Sequence, residues 1–332
     1  MSDIYYQTYS SESLTYFSQK QHVMTTTKQF YWSVCLYLLL SIHFVHASYL
    51  EVTLLGTGTP RPDISRFGPA TVIKAKGRYF VFDSGRGITI RLQQAGIPLS
   101  QIDQVFITHL HSDHLSGLPD LWLTSWIWQR QNKLHIYGPT GIENMTAHLQ
   151  LAYQADVAHR IENSGLNPLT AQINTTEISE GVIYNKDGVQ ITAFFVNHGL
   201  VKPAFGYRLD SGDQSVVISG DTSYSENLIK FAKDTDLLIH EIAAADETLL
   251  QNNRRLQKII RYHTSPAQAA MIFNKVQPKA AIYTHLLLFG ISEQQLLEKT
   301  KSLYQGTVYI GNDLLKIGIG KNITVYPSVP SQ

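Results

Sequence analysis

The stretch Val105-Phe106-Ile107-Thr108-His109-Leu110-His111-Ser112-Asp113-His114 decides how this chain is read. A short strand-like apolar run ends at Thr108, and four ligand-type side chains follow within six residues. A strand end that turns tightly can direct His109 and His111 to one metal ion, and Asp113 and His114 to a second. Cys35 is the only cysteine in 332 residues, so neither a disulfide framework nor a thiolate zinc site is available. Any metal must be held by His, Asp and Glu, and thirteen histidines are at hand.

On either side of this loop the pattern is of short strands and helices. Tyr49 to Leu55, Ala70 to Ala75, Tyr79 to Phe82 and Gln104 to Thr108 read as strands, with a helix near Ile88 to Ala95. A second series of strands covers Val189 to Val196, Gly206 to Leu209, Ser215 to Ser219, Leu237 to His240, Ala280 to Thr284 and Thr307 to Ile310. Helical periods fall near Glu226 to Lys233, Pro266 to Lys275 and Glu293 to Leu303. Strands alternating with helices, without linker or repeat, predict a layered α/β domain of two similar halves. With 43% hydrophobic and 16% charged residues, global disorder is excluded. The net charge of +1 gives no long-range field for polyanions, so nucleic-acid binding needs a local basic patch.

The His-x-His-x-Asp-His string resembles that of the metallo-β-lactamase superfamily. From Tyr49 to Gly320 the chain resembles, within it, the branch that holds ribonuclease Z and its arylsulfatase-like relatives. The resemblance implies a four-layer αββα sandwich with a dinuclear metal site at the edge between its sheets. Further ligands follow from it: His198 after Val196-Asn197, Asp221 in Ser219-Gly220-Asp221-Thr222 as a carboxylate bridging both metals, and His285 in Tyr283-Thr284-His285. His109, His111, His198 and Asp221 then surround one metal, and Asp113, His114, Asp221 and His285 the other. Two zinc ions suit this donor set best, with manganese or iron as the alternatives.

Leu54-Leu55-Gly56-Thr57-Gly58-Thr59 looks like the family's opening strand and turn, and Phe82-Asp83-Ser84-Gly85 like its aspartate loop. Asp83 is as readily a residue that bonds backbone amides beneath the site as a catalytic one. His240-Glu241 and Tyr262-His263-Thr264-Ser265 resemble the His-Glu and His-Ser/Thr elements of the ribonuclease Z branch. By that resemblance His263 faces the scissile group and Glu241 holds its imidazole, fixing the tautomer for an acid. The implied chemistry is attack by a hydroxide shared between two metals about 3.5 to 4 Å apart, with Asp113 orienting it.

Substrate choice rests on what differs from ribonuclease Z. Its basic, glycine-rich arm has no counterpart here, since residues 139–190 carry Arg160 and Lys186 against Glu143, Asp156, Glu162, Glu177, Glu180 and Asp187. The last ligand is followed by the apolar Leu286-Leu287-Leu288-Phe289. Trp122 and Trp126, four apart on a helix, and Phe289 are candidate walls of an aromatic substrate pocket, with core packing as the other reading of the tryptophans. Arg254, Arg255, Lys258 and Arg261 are either an attractor for an anionic substrate or a solvated helix face. The expectation is an arylsulfatase-like zinc hydrolase of small anionic aryl sulfates or phosphodiesters. The alternatives are a ribonuclease Z-type 3′-tRNA-processing endoribonuclease, a lactonase, thioesterase or β-lactamase, and a non-enzymatic metal-binding protein. A homodimer is implied by the resemblance alone.

At the N-terminus, Phe30 to Ala47 is an 18-residue stretch without Asp, Glu, Lys or Arg, preceded by Lys28 and ending in Val45-His46-Ala47. It reads as a secretory signal with translation starting at Met24, or as an uncleaved membrane anchor. Residues 1–47 are thus expected to be an extension plus signal or tether, and 48–332 the hydrolase domain. Periplasmic or secreted location follows from the first reading.

Overall fold

Period-two burial builds two sheets whose apolar faces meet. The computed structural model describes residues 50–326; the segment from Phe30 to Ala47, the Met24 start and the anchor alternative lie outside them. Strands β1 (Leu50–Gly56), β2 (Ala70–Ala75), β3 (Arg78–Phe82), β4 (Gln104–Phe106), β5 (Leu134–Gly138) and β6 (Ile173–Glu177) lie side by side in the first sheet. The second contains β7 (Gly181–Lys186), β8 (Val189–Phe195), β9 (Phe205–Ser211), β10 (Gln214–Ile218), β11 (Leu237–Ala245), β12 (Ala280–Phe289) and β13 (Val308–Ile310). The chain then returns to the first sheet as β14 (Lys316–Ile319) and β15 (Ile323–Tyr326), antiparallel along the free edge of β1.

Each sheet changes from antiparallel to parallel pairing partway across. In the first, β1 to β3 are antiparallel and β3 to β6 parallel. In the second, β7 to β10 are antiparallel and β10 to β13 parallel. Parallel neighbours need crossovers, and helices supply them. The first sheet carries α1 (Ile88–Gln94), α2 (Leu118–Ile127), α3 (Ile142–Ala152), α4 (Gln154–Ser164) and α5 (Pro168–Ala171). Along the second run α6 (Glu226–Ala232), α7 (Glu247–Asn252), α8 (Arg254–Arg261), α9 (Pro266–Val276) and α10 (Glu293–Lys301).

Three apolar layers hold this αββα sandwich together. Phe80, Phe82, Phe106 and Leu54 meet Ile191, Tyr207, Leu209 and Ile239 between the sheets. On alternate positions Val72, Val81 and Val105 face outward onto Ile88, Leu118 and Trp122 of the first helical layer. Val217, Leu238 and Ala281 do the same for Leu228, Ile272 and Phe273 of the second. Phe106 stacks on Tyr137 with ring centroids 4.8 Å apart and on Phe82 at 5.2 Å, a rigid floor directly before the ligand loop.

Two strands run further than their sequence predicts. β11 continues past His240 to Ala245 and β12 past Thr284 to Phe289, because Ala243 to Ala245 pair in parallel with Leu287 to Phe289. The register slips between Glu241 and Ile242, where Thr284 and then Leu286 are the partners, so His285 is the extra residue of a bulge with φ +47. Residues 139–190 fold into α3, α4, α5, β6 and β7, with no glycine-rich protrusion among them. Among the described residues no helix is long and apolar enough to cross a membrane.

Candidate metal centre

Seven side chains from both sheets converge, six of them beyond the C-terminal ends of their strands and His285 within β12. After β4 the backbone is anchored by Asp83, whose Oδ1 accepts from the Thr108 amide at 2.8 Å. His109, Asp113 and His114 follow from there, all buried, with His111 exposed at the mouth. His198 follows β8, Asp221 follows β10 and His285 sits in the β12 bulge. Tyr207 donates to the Ile107 carbonyl at 2.6 Å and the Phe205 amide to Thr108 at 2.9 Å, so the two sheets are tied where the ligands meet.

The ligand atoms fall into three groups, of which two carry the residues the resemblance implies and the third joins Asp221 and His285 to His263. His109, His111, His198 and Asp221 offer ligand atoms within 4.8 Å of one another, and so do Asp113, His114 and His285. Asp221 stands between them: Oδ2 is 3.8 Å from Nε2 of both His109 and His198 and 3.5 Å from His285, while Oδ1 is 3.5 Å from His114 Nε2. Ring nitrogens of His109 and His198 lie 3.0 and 3.2 Å from His111 Nδ1. His114 Nε2 is buried without a hydrogen-bond partner in the protein. Imidazole nitrogens turned toward one another around a shared carboxylate fit divalent cations, which would satisfy them all.

The outward-facing nitrogens are held by partners that fix each ring. His114 Nδ1 lies 2.7 Å from Asp83 Oδ2, His109 Nδ1 is 3.0 Å from Thr108 Oγ1, and His198 Nδ1 is 3.1 Å from the Tyr262 carbonyl. Asp83 therefore acts beneath the site, on a histidine ring as well as on backbone. Burial pushes the imidazoles of His109, His111 and His198 down, leaving them neutral as ligands must be. Burial alone would raise Asp221, but the neighbouring His285, His114 and His109 outweigh it and hold the carboxyl well below its usual range. His114 has the opposite sign: burial lowers it, and Asp221 and Asp83 together overcome that and retain its proton, which a cation at Nε2 would replace.

His263 and Glu241 form a second layer. His263 Nδ1 is 3.2 Å from Glu241 Oε2, while the other Glu241 oxygen accepts from the Thr264 and Thr222 amides at 2.8 and 3.3 Å. Burial lowers the His263 imidazole, yet the charge and hydrogen bond of Glu241 outweigh it and leave the ring at about 9. The neighbouring His240 is buried in the second helical layer against Phe273, with its Nδ1 2.6 Å from the Glu241 carbonyl.

A cavity of about 810 Å³ opens over His111, Asp113, His198, Asp221, His263 and His285. Phe289 lines it together with Leu286, Leu287 and Leu288. Trp122 and Trp126 do not: both are 1% exposed within α2, their indole N–H groups donating to the Ala171 and Asn167 carbonyls. Trp122 packs α2 against the first sheet and Trp126 is buried on the same helix, which corrects the expectation of a substrate wall. Sequence reasoning also missed Tyr262, which lines the cavity and lies against Gly199, where an added Cβ would stand 2.3 Å from its ring. Arg61 on the loop after β1 was missed as a cavity residue too, for want of any signal in Thr59-Pro60-Arg61-Pro62. Arg208 pairs with Asp210 at 2.9 Å, away from the cavity lining.

Residues 50–272 match the family model described as anti-Pycsar protein Apyc1. A ribonuclease Z from Mycobacterium sp. (strain KMS) is 31% identical over 283 residues, 84% of this chain and 99% of that protein. Another, from Mycobacterium avium (strain 104), is 33% identical over 276 residues, 81% of this chain and 98% of the relative. Among solved structures, the metallo-β-lactamase fold protein YhfI from Bacillus subtilis superposes with a TM-score of 0.66 at 18% identity, covering 82% of this chain and all of its own. Human tRNase Z, short form, gives 0.58 at 24% identity over 80% of this chain and 98% of that one. Sandwich, donor set and relatives together define a hydrolytic enzyme of the metallo-β-lactamase fold with a divalent-metal site. Within that superfamily the chain belongs to the ribonuclease Z branch, and by the extent of the match to the family of the Apyc1 model. These relatives bring no support to the arylsulfatase-like reading and favour its alternative, an endoribonuclease of ribonuclease Z type.

Proposed function

We propose that this protein is a two-metal phosphodiesterase of ribonuclease type, hydrolysing a P–O bond of an RNA strand. The observation that carries the reading is the joint geometry of seven ligands and the His263–Glu241 pair on one cavity, in a chain whose relatives bear the name ribonuclease Z. Bound divalent ions, zinc by the chemistry of the donors, would supply an activated water and charge neutralisation at the phosphoryl group. His109, His111, His198 and Asp221 would hold the first, and Asp113, His114 and His285, with Asp221, the second.

The remaining work belongs to the chain itself. Glu241 takes one side of the His263 ring and keeps it charged, so its Nε2 is the proton donor to the leaving oxygen. Leu286 to Phe289 and Ile259 exclude water from one wall, which strengthens every charge interaction inside. That apolar wall also favours a second reading, a small phosphodiester with one aromatic arm. The segment from Phe30 to Ala47 would export the enzyme, and N-terminal sequencing of protein recovered outside the cytoplasm, starting at Ser48, would bear that out.

Turnover by the zinc-loaded full chain on a precursor tRNA with a 3′ trailer, an oligoribonucleotide, bis-nitrophenyl phosphate and a nitrophenyl sulfate tests the proposal. RNA cleavage and phosphodiester turnover, both lost in Asp221→Ala, support it. Preference for the sulfate ester overturns it, and turnover of bis-nitrophenyl phosphate with none of either RNA favours the small-molecule reading.

A further inference from the structure

Helix α8 carries Arg254, Arg255, Lys258 and Arg261 within eight residues, and all four are exposed. Arg66, Arg78, Arg91, Arg160 and Arg208 each have a carboxylate partner elsewhere in the molecule. Among the described residues no carboxylate lies within ion-pair distance of the four on α8, whose neighbouring acids are Asp246, capping α7, and Glu247 in its first turn. Lys258 and Arg261 in the last turn suit the helix dipole, but the first-turn pair does not. Arg254 and Arg255 occupy its first turn, where the macrodipole disfavours cations, and Arg254 and Lys258 are like charges four apart.

The arrangement has a direction. At about 100° per residue, Arg255, Ile259 and Tyr262 fall on one face, and these three line the metal cavity. Arg254, Lys258 and Arg261 form the next stripe, about a quarter turn round and opposite Leu256, which is buried and anchors the helix. Arg61 stands on the same cavity lining. Arg66 on the same lining is taken up by Glu293 and Asp63 accepts from Ser65, which leaves Arg61 and Arg255, among the described residues, as the cavity's unpaired cations, continued by the solvent face of α8.

We infer that the solvent stripe of α8, Arg254, Lys258 and Arg261, is the track along which the backbone of a single-stranded RNA substrate lies as it leaves the metal cavity. The inference rests on the proposed activity and adds how a chain without a basic arm engages a polyanion. Continuity with the catalytic cavity and charge complementarity identify the occupant. An anionic membrane surface is the weaker fit. An interfacial helix buries a broad apolar face opposite its cations, and here that face, at Leu256, is already packed into the protein.

Fluorescence anisotropy with the metal-loaded full chain and a labelled phosphorothioate oligouridylate of about a dozen units tests this. Removing the charges by Arg254→Gln, Lys258→Gln and Arg261→Gln together is expected to weaken binding at least about tenfold at low salt. The slope of log affinity against log salt should fall by about 2, that is about 0.7 per cation lost. The variant Arg254→Lys with Arg261→Lys, which keeps the charge, should bind nearly as the parent does. Unchanged affinity and slope in the triple variant overturn the inference, as does equal weakening in the Lys variant or a loss confined to binding of phosphatidylserine vesicles. Intact bis-nitrophenyl phosphate turnover with no oligouridylate binding overturns it and leaves the phosphodiesterase standing. Cation-dependent binding without turnover of any phosphodiester upholds the track and sinks the proposed activity.

Discussion

His263 has one ring nitrogen on Glu241 and lies 5.1 Å, centroid to centroid, from the ligand His198. If its Nε2 protonates the leaving oxygen, its value depends on how badly that oxygen needs a proton. His263→Ala should lower kcat on RNA by about 10²- to 10⁴-fold and spare a nitrophenolate leaving group, which departs unaided. Equal losses on RNA and bis-nitrophenyl phosphate would remove it from the acid role. Asp221→Ala should reduce bound metal from two ions to one or none by mass spectrometry, because its two oxygens face both donor groups. At this scale the sequence was most legible where chemistry is contiguous, since His109 to His114 states its purpose within one loop. His198 and His285 lie far apart in the chain, and only their order within a family pattern identified them. Tyr262 was illegible, because its part is played by a backbone carbonyl and a ring seated on Gly199.

Elements position these residues through close backbone approaches. Gly85, in the aspartate loop after β3, shows this against the ligand loop: an added Cβ would stand 2.3 Å from the Gly68 carbonyl carbon and 2.7 Å from the Asp113 carbonyl oxygen, all main chain. Gly85→Ala should therefore weaken metal binding, measured by chelator competition, as well as stability. A buried ion pair fixes the loop between β1 and β2. Asp313 accepts from the Thr57 and Phe67 amides at 2.8 and 2.7 Å and from Arg91 at 3.0 Å. Asp313→Ala leaves Arg91 buried without its counter-charge, and urea unfolding should lose about 3 to 5 kcal/mol. Replacing both partners, Arg91→Met with Asp313→Leu, should cost less if desolvation of the lone charge is the cause. Element type was readable from period, and the structure adds the Ser265 and Ser292 capping boxes that open α9 and α10. Strand ends were not. The run after His285 looked like a pocket wall alone, yet Leu287 to Phe289 both line the cavity and pair with β11, an outcome decided by the neighbouring strand.

At the scale of the whole molecule, the metal centre is also a joint. Its donors come from the first sheet at His109 to His114 and from the second at His198, Asp221 and His285, so ions bound there cross-link the two halves of the sandwich. The unfolded chain offers the same side chains without the geometry, so binding energy adds to folding energy. Zinc at about 100 times its dissociation constant should stabilise the protein by about 2.7 kcal/mol over the metal-free form. Thermal unfolding with zinc and with chelator measures that difference as a shift in midpoint. The shift should shrink in Asp221→Ala and persist in His263→Ala, since only the first removes a group shared by both sites. An equal shift in all three proteins would place the stabilising ions elsewhere. The four cations of α8 stand outside this joint, so neutralising them should leave the chelator shift unchanged while the salt dependence of RNA binding falls. Folding and substrate capture are thus assigned to different charges of the same molecule: carboxylates and imidazoles closed over at the sheet edge, and unpaired arginines and lysine on the helix beside it.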